Sequence, residues 1–271
     1  MEIKVLGPLE ARENGISITP SASKPRQLLA MLALQVGNVV TVPTLIEELW
    51  GMAPPRSALT TLQTYVLQVR RKIDAAIQSD QPDAAKAVLV TRYGGYMLDV
   101  AQENVDVRSF ERLASAGRRA MEVGDLKSAS RLLRSALDVW RGPVLVDVQI
   151  GSCLAMEVTR LHEAKLCVVE SRIEADIRLG RHQSLLSELS MLTAQHPMHE
   201  NLCGQYMLSL YRSGRQWQAL EIYQSLRDTL INELGLEPSD RLRRLQRAIL
   251  NTDPALDSHI SDSDLQRQLA G

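Results

Sequence analysis

The sequence predicts a mainly α-helical chain with small β elements, in which an N-terminal winged helix-turn-helix domain precedes an all-α, tetratricopeptide-like helical domain. Two neighbouring stretches indicate the winged helix. Ser57–Ile73 has the apolar spacing of a helix, and Val88–Val100 has the alternation of a β-hairpin that turns at Gly94–Gly95. From Asp106 onward only helical patterns occur, which indicates the second domain.

The start of the chain is predicted to form a small antiparallel sheet. Glu2–Leu6, Leu9–Glu13 and Ile16–Thr19 alternate in part between apolar and polar residues, and Gly7–Pro8 and Asn14–Gly15 separate them. Asn-Gly between two such runs is a strong signal for a hairpin.

Two helices are expected before the principal one. Ser23–Val36 carries an apolar face, with Ser23 as its predicted cap and Pro25 in its first turn. After an extended stretch at Val39–Val42, a shorter helix covers Thr44–Trp50. A polar linker is expected at 79–86, before the hairpin.

The third helix separates a core-facing stripe from a polar face. Its stripe of helical period is Leu62, Val66, Val69, Ile73 and Ile77. Another face carries Thr60, Thr61, Thr64, Gln68 and Arg71. Uncharged hydrogen-bonding groups suit base edges, and cations at the end of the helix suit phosphates, so this face predicts contact with DNA.

Basic residues at three further places support the same prediction. Arg92 and Tyr93 precede the glycines of the hairpin, where a cation can meet the minor groove or a phosphate. Lys24, Arg26 and Arg56 lie at helix starts, where backbone N–H groups also attract phosphate. The full set of predicted DNA-binding residues is Lys24, Arg26, Arg56, Thr60, Thr61, Thr64, Gln68, Arg70, Arg71, Lys72, Arg92 and Tyr93.

The helical region contains a weak internal repeat. Gly180 precedes Gly214 by 34 residues, and a small or apolar residue follows each glycine by five positions, as it also does after Gly124. That period is typical of tetratricopeptide-like helix pairs. The predicted organisation is a DNA-binding domain at 1–104, a helical domain at 105–252 and a frayed tail at 253–271.

Other functions find little support in the sequence. The net charge of −1 argues against a general nucleic-acid coat protein, and no phosphate-binding, zinc or hydrolase motif occurs. Cys153, Cys167 and Cys203 are widely spaced and fit reduced thiols. The start of the chain has no signal peptide, and no apolar run is long enough to span a membrane. We therefore expect a cytoplasmic protein that is not an enzyme and uses neither a cofactor nor a metal.

The same stretches closely resemble the Streptomyces antibiotic regulatory proteins, which activate secondary-metabolite gene clusters. The N-terminal match rests on IKVLGPLEA, SKPRQLLAMLAL, IEELWG, ALTTLQTYVLQVRRKI and VLVTRYGGYML. The region from VDVRSFERLASAGRRA through LRDTLINELGLEPSDRLRRL resembles the bacterial transcriptional activation domain attached to them. The resemblance covers about residues 1–250.

The resemblance implies an OmpR-type winged helix that binds short direct repeats upstream of promoters. It further implies that copies bind side by side on double-stranded DNA and recruit RNA polymerase holoenzyme through its sigma factor and neighbouring subunits. Winged helices of this type often place Arg where this chain has Thr60 and Gln68. With no receiver domain in front, control by expression level is expected.

Two rival functions remain open at the level of sequence. A ligand-responsive repressor would share the DNA contacts but block polymerase. A helical-repeat adaptor would use the N-terminal domain to bind protein, and its basic residues would only be solvated.

Overall fold

The computed structural model describes residues 1–77 and 84–256, and the chain divides into two compact units. The first unit contains Met1–Ser115 and Ser135–Leu166. The second contains Ala116–Arg134 and the described residues from Cys167 to 256. Helices and a few short strands form the regular secondary structure of the described residues, which confirms the predicted fold class.

The N-terminal elements follow the order expected of a winged helix. They are β1 Glu2–Lys4, β2 Glu10–Glu13, β3 Ile16–Ser17, α1 Ser23–Leu34, β4 Val40–Thr41, α2 Val42–Trp50, α3 Ala58–Ile77, α4 Ala84–Val88, β5 Leu89–Arg92 and β6 Gly95–Leu98. The later helices are α5 Asp106–Glu122, α6 Leu126–Asp138, α7 Ser152–Arg178, α8 His182–Gln195, α9 Glu200–Arg212, α10 Gln216–Leu234 and α11 Asp240–Leu250. Short 3₁₀ turns occupy Gln102–Asn104 and Pro254–Leu256.

Two three-stranded antiparallel sheets bracket the helices of the winged helix. In the first sheet, in the order β1-β2-β3, Ile3 lies opposite Ala11, and both side chains are buried. The second sheet has the order β4-β6-β5, with Arg92 opposite Gly95 at the end of the hairpin. Both predicted β regions are thus confirmed.

The structure corrects several local predictions. Ala22, not Ser23, is the N-cap of α1 and gives no side-chain cap, because the Ser23 hydroxyl donates to Gln149 Oε1 at 3.2 Å instead. Helix α2 begins at Val42, two residues before Thr44, because the Thr41 hydroxyl accepts a hydrogen bond from the Thr44 amide and so caps it.

The predicted linker also differs in part. Helix α4 begins at Ala84, where the Ala85 amide donates to Asp74 Oδ1 at 2.9 Å and so has a partner at the helix start. The rest of the expected linker, before residue 84, lies outside the described residues.

Helix α3 buries the predicted stripe with one exception. Leu62, Val66, Val69 and Ile73 are buried, whereas Ile77 is only half-buried and Ala76 takes the buried position at that end. Ala76 and Ile77 lie about equally far, roughly 50°, on either side of the line of the stripe, so helical spacing alone does not choose between them.

The helical-pair pattern is confirmed by the turns that its glycines make. Gly124, Gly180 and Gly214 each follow the first helix of a pair, α5/α6, α7/α8 and α9/α10, with φ values of 79°, 78° and 74°. Glycine adopts this left-handed conformation without the steric cost of a Cβ atom. The residues five positions later are Ala129, Leu185 and Ala219, and all three are buried.

A buried carboxylate organises part of the second unit. Asp176, on α7, is almost fully buried, accepts a hydrogen bond from the Ser130 hydroxyl at 2.7 Å and forms ion pairs with Arg134 and Arg181 at 3.0 and 2.8 Å. A buried charge needs such partners, and these join α6, α7 and the turn after Gly180.

The first residues of the predicted tail contact the second unit. Leu256 is buried, and its carbonyl accepts a hydrogen bond from Arg212 Nε at 2.7 Å, so Pro254–Leu256 is held against the second unit. Residues 257–271 lie outside the described residues.

Candidate DNA-binding surface

One side of α3 is exposed along most of its length. The helix packs on α1, α2, α4 and β2 through its buried stripe, which leaves the opposite side facing solvent. We call this side the outward face of α3, and it consists of Thr60, Gln63, Thr64, Leu67, Gln68 and Arg71. At 1.5 Å per residue it is about 16 Å long and covers an arc of about 140° around the helix axis.

The chemistry of the outward face suits a nucleic-acid edge. Its members offer hydroxyls, amides, one apolar side chain and the guanidinium of Arg71, and no carboxylate lies among them. Lys72 is exposed beside this face, and Arg56 is exposed just before α3 begins. In the described part of the chain, Arg56, Arg71 and Lys72 have no acidic partner, so these charges remain available to an anion.

The wing carries a second exposed pair. Arg92 and Tyr93 lie at the tip of the β5–β6 hairpin, and the Tyr93 ring is fully exposed. Gly94 has a left-handed φ of 74°, and a Cβ atom on Gly95 would lie 2.3 Å from the Val40 carbonyl oxygen. Both glycines are therefore required by the hairpin and its contact with β4.

Arg70 fastens the wing to α3. Its Nε and Nη2 donate to the Leu89 carbonyl at 3.0 and 2.6 Å, and Nη2 also donates to the Thr91 hydroxyl at 2.8 Å. Arg70 is half-buried by these contacts, so it sets the position of the wing relative to the outward face.

Three other predicted residues have protein partners. The Lys24 ammonium donates to the Leu49 carbonyl, Arg26 pairs with Asp147 at 2.8 Å, and the half-buried Thr61 donates to the Ser57 hydroxyl at 3.4 Å. The structure therefore brings Thr60, Thr64, Gln68, Arg71 and Lys72 together on or beside one face. It places Lys24 and Arg26 on α1, in contacts that hold the first unit together.

A buried glutamate holds α2, the helix that precedes α3, in position. Glu48 is 2% exposed and accepts hydrogen bonds from the amides of Gly151, Cys153 and Leu154 at 2.7, 2.9 and 3.0 Å. The Gln27 side-chain amide donates to the same carboxylate at 2.8 Å. The unpaired amides at the start of a helix favour a negative charge, so the Glu48 carboxylate is stable at this position. Its hydrogen bonds join α1 and α2 to the start of α7.

The sequence prediction does not include two members of the outward face. Gln63 follows Thr60 by three residues, and Leu67 follows Thr64 by three, which places both on the exposed side of the helix. Helical spacing from the predicted threonines was the signal that could have found them.

Other chemistry has little basis in the described part of the chain. Within residues 1–77 and 84–256, no group of three or more His, Cys, Asp or Glu side chains could hold a metal ion. The three cysteines are free thiols, and burial raises the pKa of Cys203 to about 12. No helix among these residues is both long and apolar enough to cross a membrane.

Family models match both halves of the chain. Residues 16–98 match the model described as "Transcriptional regulatory protein, C terminal", and residues 105–250 match "Bacterial transcriptional activator domain". With the winged helix and the helical pairs, these matches define the class of protein: a DNA-binding transcriptional regulator that carries an activator domain.

Curated relatives cover nearly the whole chain. Regulatory protein DnrI of Streptomyces peucetius is 60% identical over 95% of this chain and 94% of its own length. Transcriptional regulator RedD of Streptomyces coelicolor is 35% identical over 94% of this chain and 72% of its own length. Regulatory protein AfsR of Streptomyces coelicolor is 40% identical over 93% of this chain but only 24% of its own length. The chain therefore belongs to the Streptomyces antibiotic regulatory protein family.

A solved structure has the same fold. Mycobacterium tuberculosis EmbR, in complex with a low-affinity phosphopeptide, superposes with a TM-score of 0.87 and 32% identity over 94% of this chain and 68% of that one. The arrangement of a winged helix followed by helical pairs is thus shared with a second transcriptional regulator.

Proposed function

We propose that this regulator activates a secondary-metabolite gene cluster by binding direct repeats upstream of promoters and recruiting RNA polymerase. The observation that carries the proposal is the outward face of α3, with the wing fastened beside it by Arg70. Membership of a family of antibiotic regulators supports the choice of target genes.

The outward face has dimensions that suit the major groove of DNA. The groove is about 12 Å wide and admits a helix, and amide and hydroxyl groups can pair with its base edges. Gln63 and Gln68 would supply paired donors and acceptors there, and Arg71 would reach a guanine edge or a phosphate. Arg92 and Tyr93 would meet the adjacent backbone or minor groove.

Side-by-side binding follows from the proposed direct repeats. Repeats in the same orientation demand a head-to-tail arrangement of copies rather than a two-fold one, so a dimer in solution is not required. We further propose that the helical region, at 105–252, meets polymerase holoenzyme including its sigma factor. The N-terminal region at 1–104 would then supply the DNA contacts, in the cytoplasm at the nucleoid.

Footprinting tests the DNA-binding part of the proposal. Purified full-length protein is applied to the upstream regions of the genes that neighbour its own gene, beside Arg71→Ala and Lys127→Ala variants. Lys127 is an exposed cation on α6 and serves as the matched control. Protection of spaced direct repeats by wild type and Lys127→Ala, weakened in Arg71→Ala, is expected. Equal and featureless protection by all three proteins would contradict it.

Transcription in vitro tests activation. On a template that carries the protected repeats, added protein should raise the yield of transcript from the adjacent promoter. A lower yield on the same bound template would indicate a repressor. No binding and no effect on yield would favour a protein-binding adaptor.

A further inference from the structure

An apolar side chain occupies the centre of the outward face. Leu67 is 48% exposed, although it lies in the middle of α3 rather than at a frayed end. At about 100° per residue, it projects within about 40° of Thr60 and Arg71 and about 130° away from the centre of the buried stripe. Within this face, Leu67 is the only apolar side chain.

Contacts on either side of Leu67 hold this orientation. Val66 is buried in the core, and Arg70 is tied to the wing strands through Leu89 and Thr91. The Thr64 hydroxyl donates to the Thr60 carbonyl at 3.0 Å, so its proton already has a partner within the helix. The middle of the face therefore presents the Leu67 side chain, and the amides of Gln63 and Gln68 lie on either side of it.

The major groove offers one apolar group to such a side chain. Among the base edges there, only thymine carries a methyl group, at C5, whereas the others present hydrogen-bond donors and acceptors. A leucine pressed against a polar edge would leave that edge without its water and without a partner.

We propose that Leu67 packs on the C5 methyl group of a thymine in each of the direct repeats and is thereby a specificity-determining residue. The inference rests on the proposed function, because it requires α3 to lie in the major groove. It adds a base preference at one position of each repeat.

Replacement of thymine by uracil tests this contact, because it removes only the methyl group in the major groove. The full-length protein first selects its preferred sequence from a random duplex library. Duplexes of that sequence are then made with deoxyuridine at one thymine position at a time. Dissociation constants are measured for wild type, Leu67→Ala and Leu59→Ala.

Leu59 provides the matched control. It is 50% exposed on the same helix, but it lies two turns earlier and about 80° around the axis from Leu67. Both substitutions remove an exposed apolar side chain and should leave the fold unchanged, which circular dichroism checks.

The expected result is a coupling specific to Leu67. At one thymine per repeat, uracil should weaken binding by wild type and Leu59→Ala about fourfold, the value of one buried methyl group. The same change should leave the affinity of Leu67→Ala unaltered.

Two results would overturn the inference in distinguishable ways. Specific binding in which no thymine responds to uracil, or in which Leu67→Ala responds as wild type does, would remove the role of Leu67 alone. Failure of the wild-type protein to select any sequence would remove the proposed function, and the Leu67 contact with it.

Discussion

Adjacent arginines on α3 have different environments. Arg70 is half-buried and donates to Leu89 and Thr91 of the wing, whereas Arg71 is exposed on the outward face. The sequence predicted a basic cluster at this point, but it could not separate the two residues. Their difference depends on the position of the hairpin, which local helical spacing does not specify.

Stability measurements should separate these arginines. Arg70→Ala leaves the Leu89 carbonyl without its donors, so we expect the free energy of unfolding to fall by about 1–3 kcal/mol. Arg71→Ala removes an exposed side chain and should change it by less than about 0.5 kcal/mol. Urea unfolding of both variants measures this, and equal values would contradict the assigned roles.

At the scale of elements, local signals predicted more than distant contacts did. The glycines of the three helical pairs predict the turns from sequence that lies within a few residues of them. The spacing of apolar residues in α3 likewise predicts its buried side. Glu48 gave no such signal, because its partners at Gly151 and Leu154 lie more than 100 residues away. A buried carboxylate at a distant helix start cannot be read from spacing.

Loss of the Glu48 charge should destabilise the first unit. Glu48→Gln replaces one acceptor oxygen by an amide that cannot accept from Gly151, Cys153 or Leu154. We expect the free energy of unfolding to fall by about 1–3 kcal/mol as a buried N–H loses its partner. Glu47→Gln is the matched control, because the Glu47 side chain is exposed and accepts from the Ser152 hydroxyl rather than from helix-start amides. Equal thermal unfolding of the two variants would show that the buried contact contributes nothing.

At the scale of the whole molecule, the first unit extends beyond the winged helix. Asp106 accepts hydrogen bonds from the amides of Val5 and Leu6, and Asp147 accepts from the Leu9 amide at 2.8 Å. Burial raises the pKa of Asp106 even though these N–H groups and Arg141 act in the opposite direction. The sequence places a boundary at 104, where its patterns change, but packing of the unit continues past that point.

In a fragment of residues 1–104, backbone amides near the start should therefore be less protected from hydrogen exchange than in the full chain. In hydrogen exchange, we expect the amides of Val5, Leu6 and Leu9 to exchange faster in the fragment than in the full chain, because their acceptors are missing. The Ala11 amide donates to the Thr19 hydroxyl, which the fragment retains, and serves as the internal control. Full-chain protection of all three amides in the fragment would contradict the extended unit.

Recognition of DNA by the outward face of α3 is tested most directly by measuring how affinity depends on DNA sequence and on salt concentration. The full-length protein is titrated with a duplex that carries the repeats protected in footprinting (the protected duplex) and with a scrambled duplex, at several salt concentrations. The Gln68→Ala, Arg71→Ala and Lys127→Ala variants are titrated in the same way. For about six neutralised phosphates, log affinity should fall against log salt with a slope near −5. Arg71→Ala should reduce that slope by about 1, and Gln68→Ala should lower the preference for the protected duplex without changing the slope. Binding of both duplexes with equal affinity by all four proteins would contradict the account.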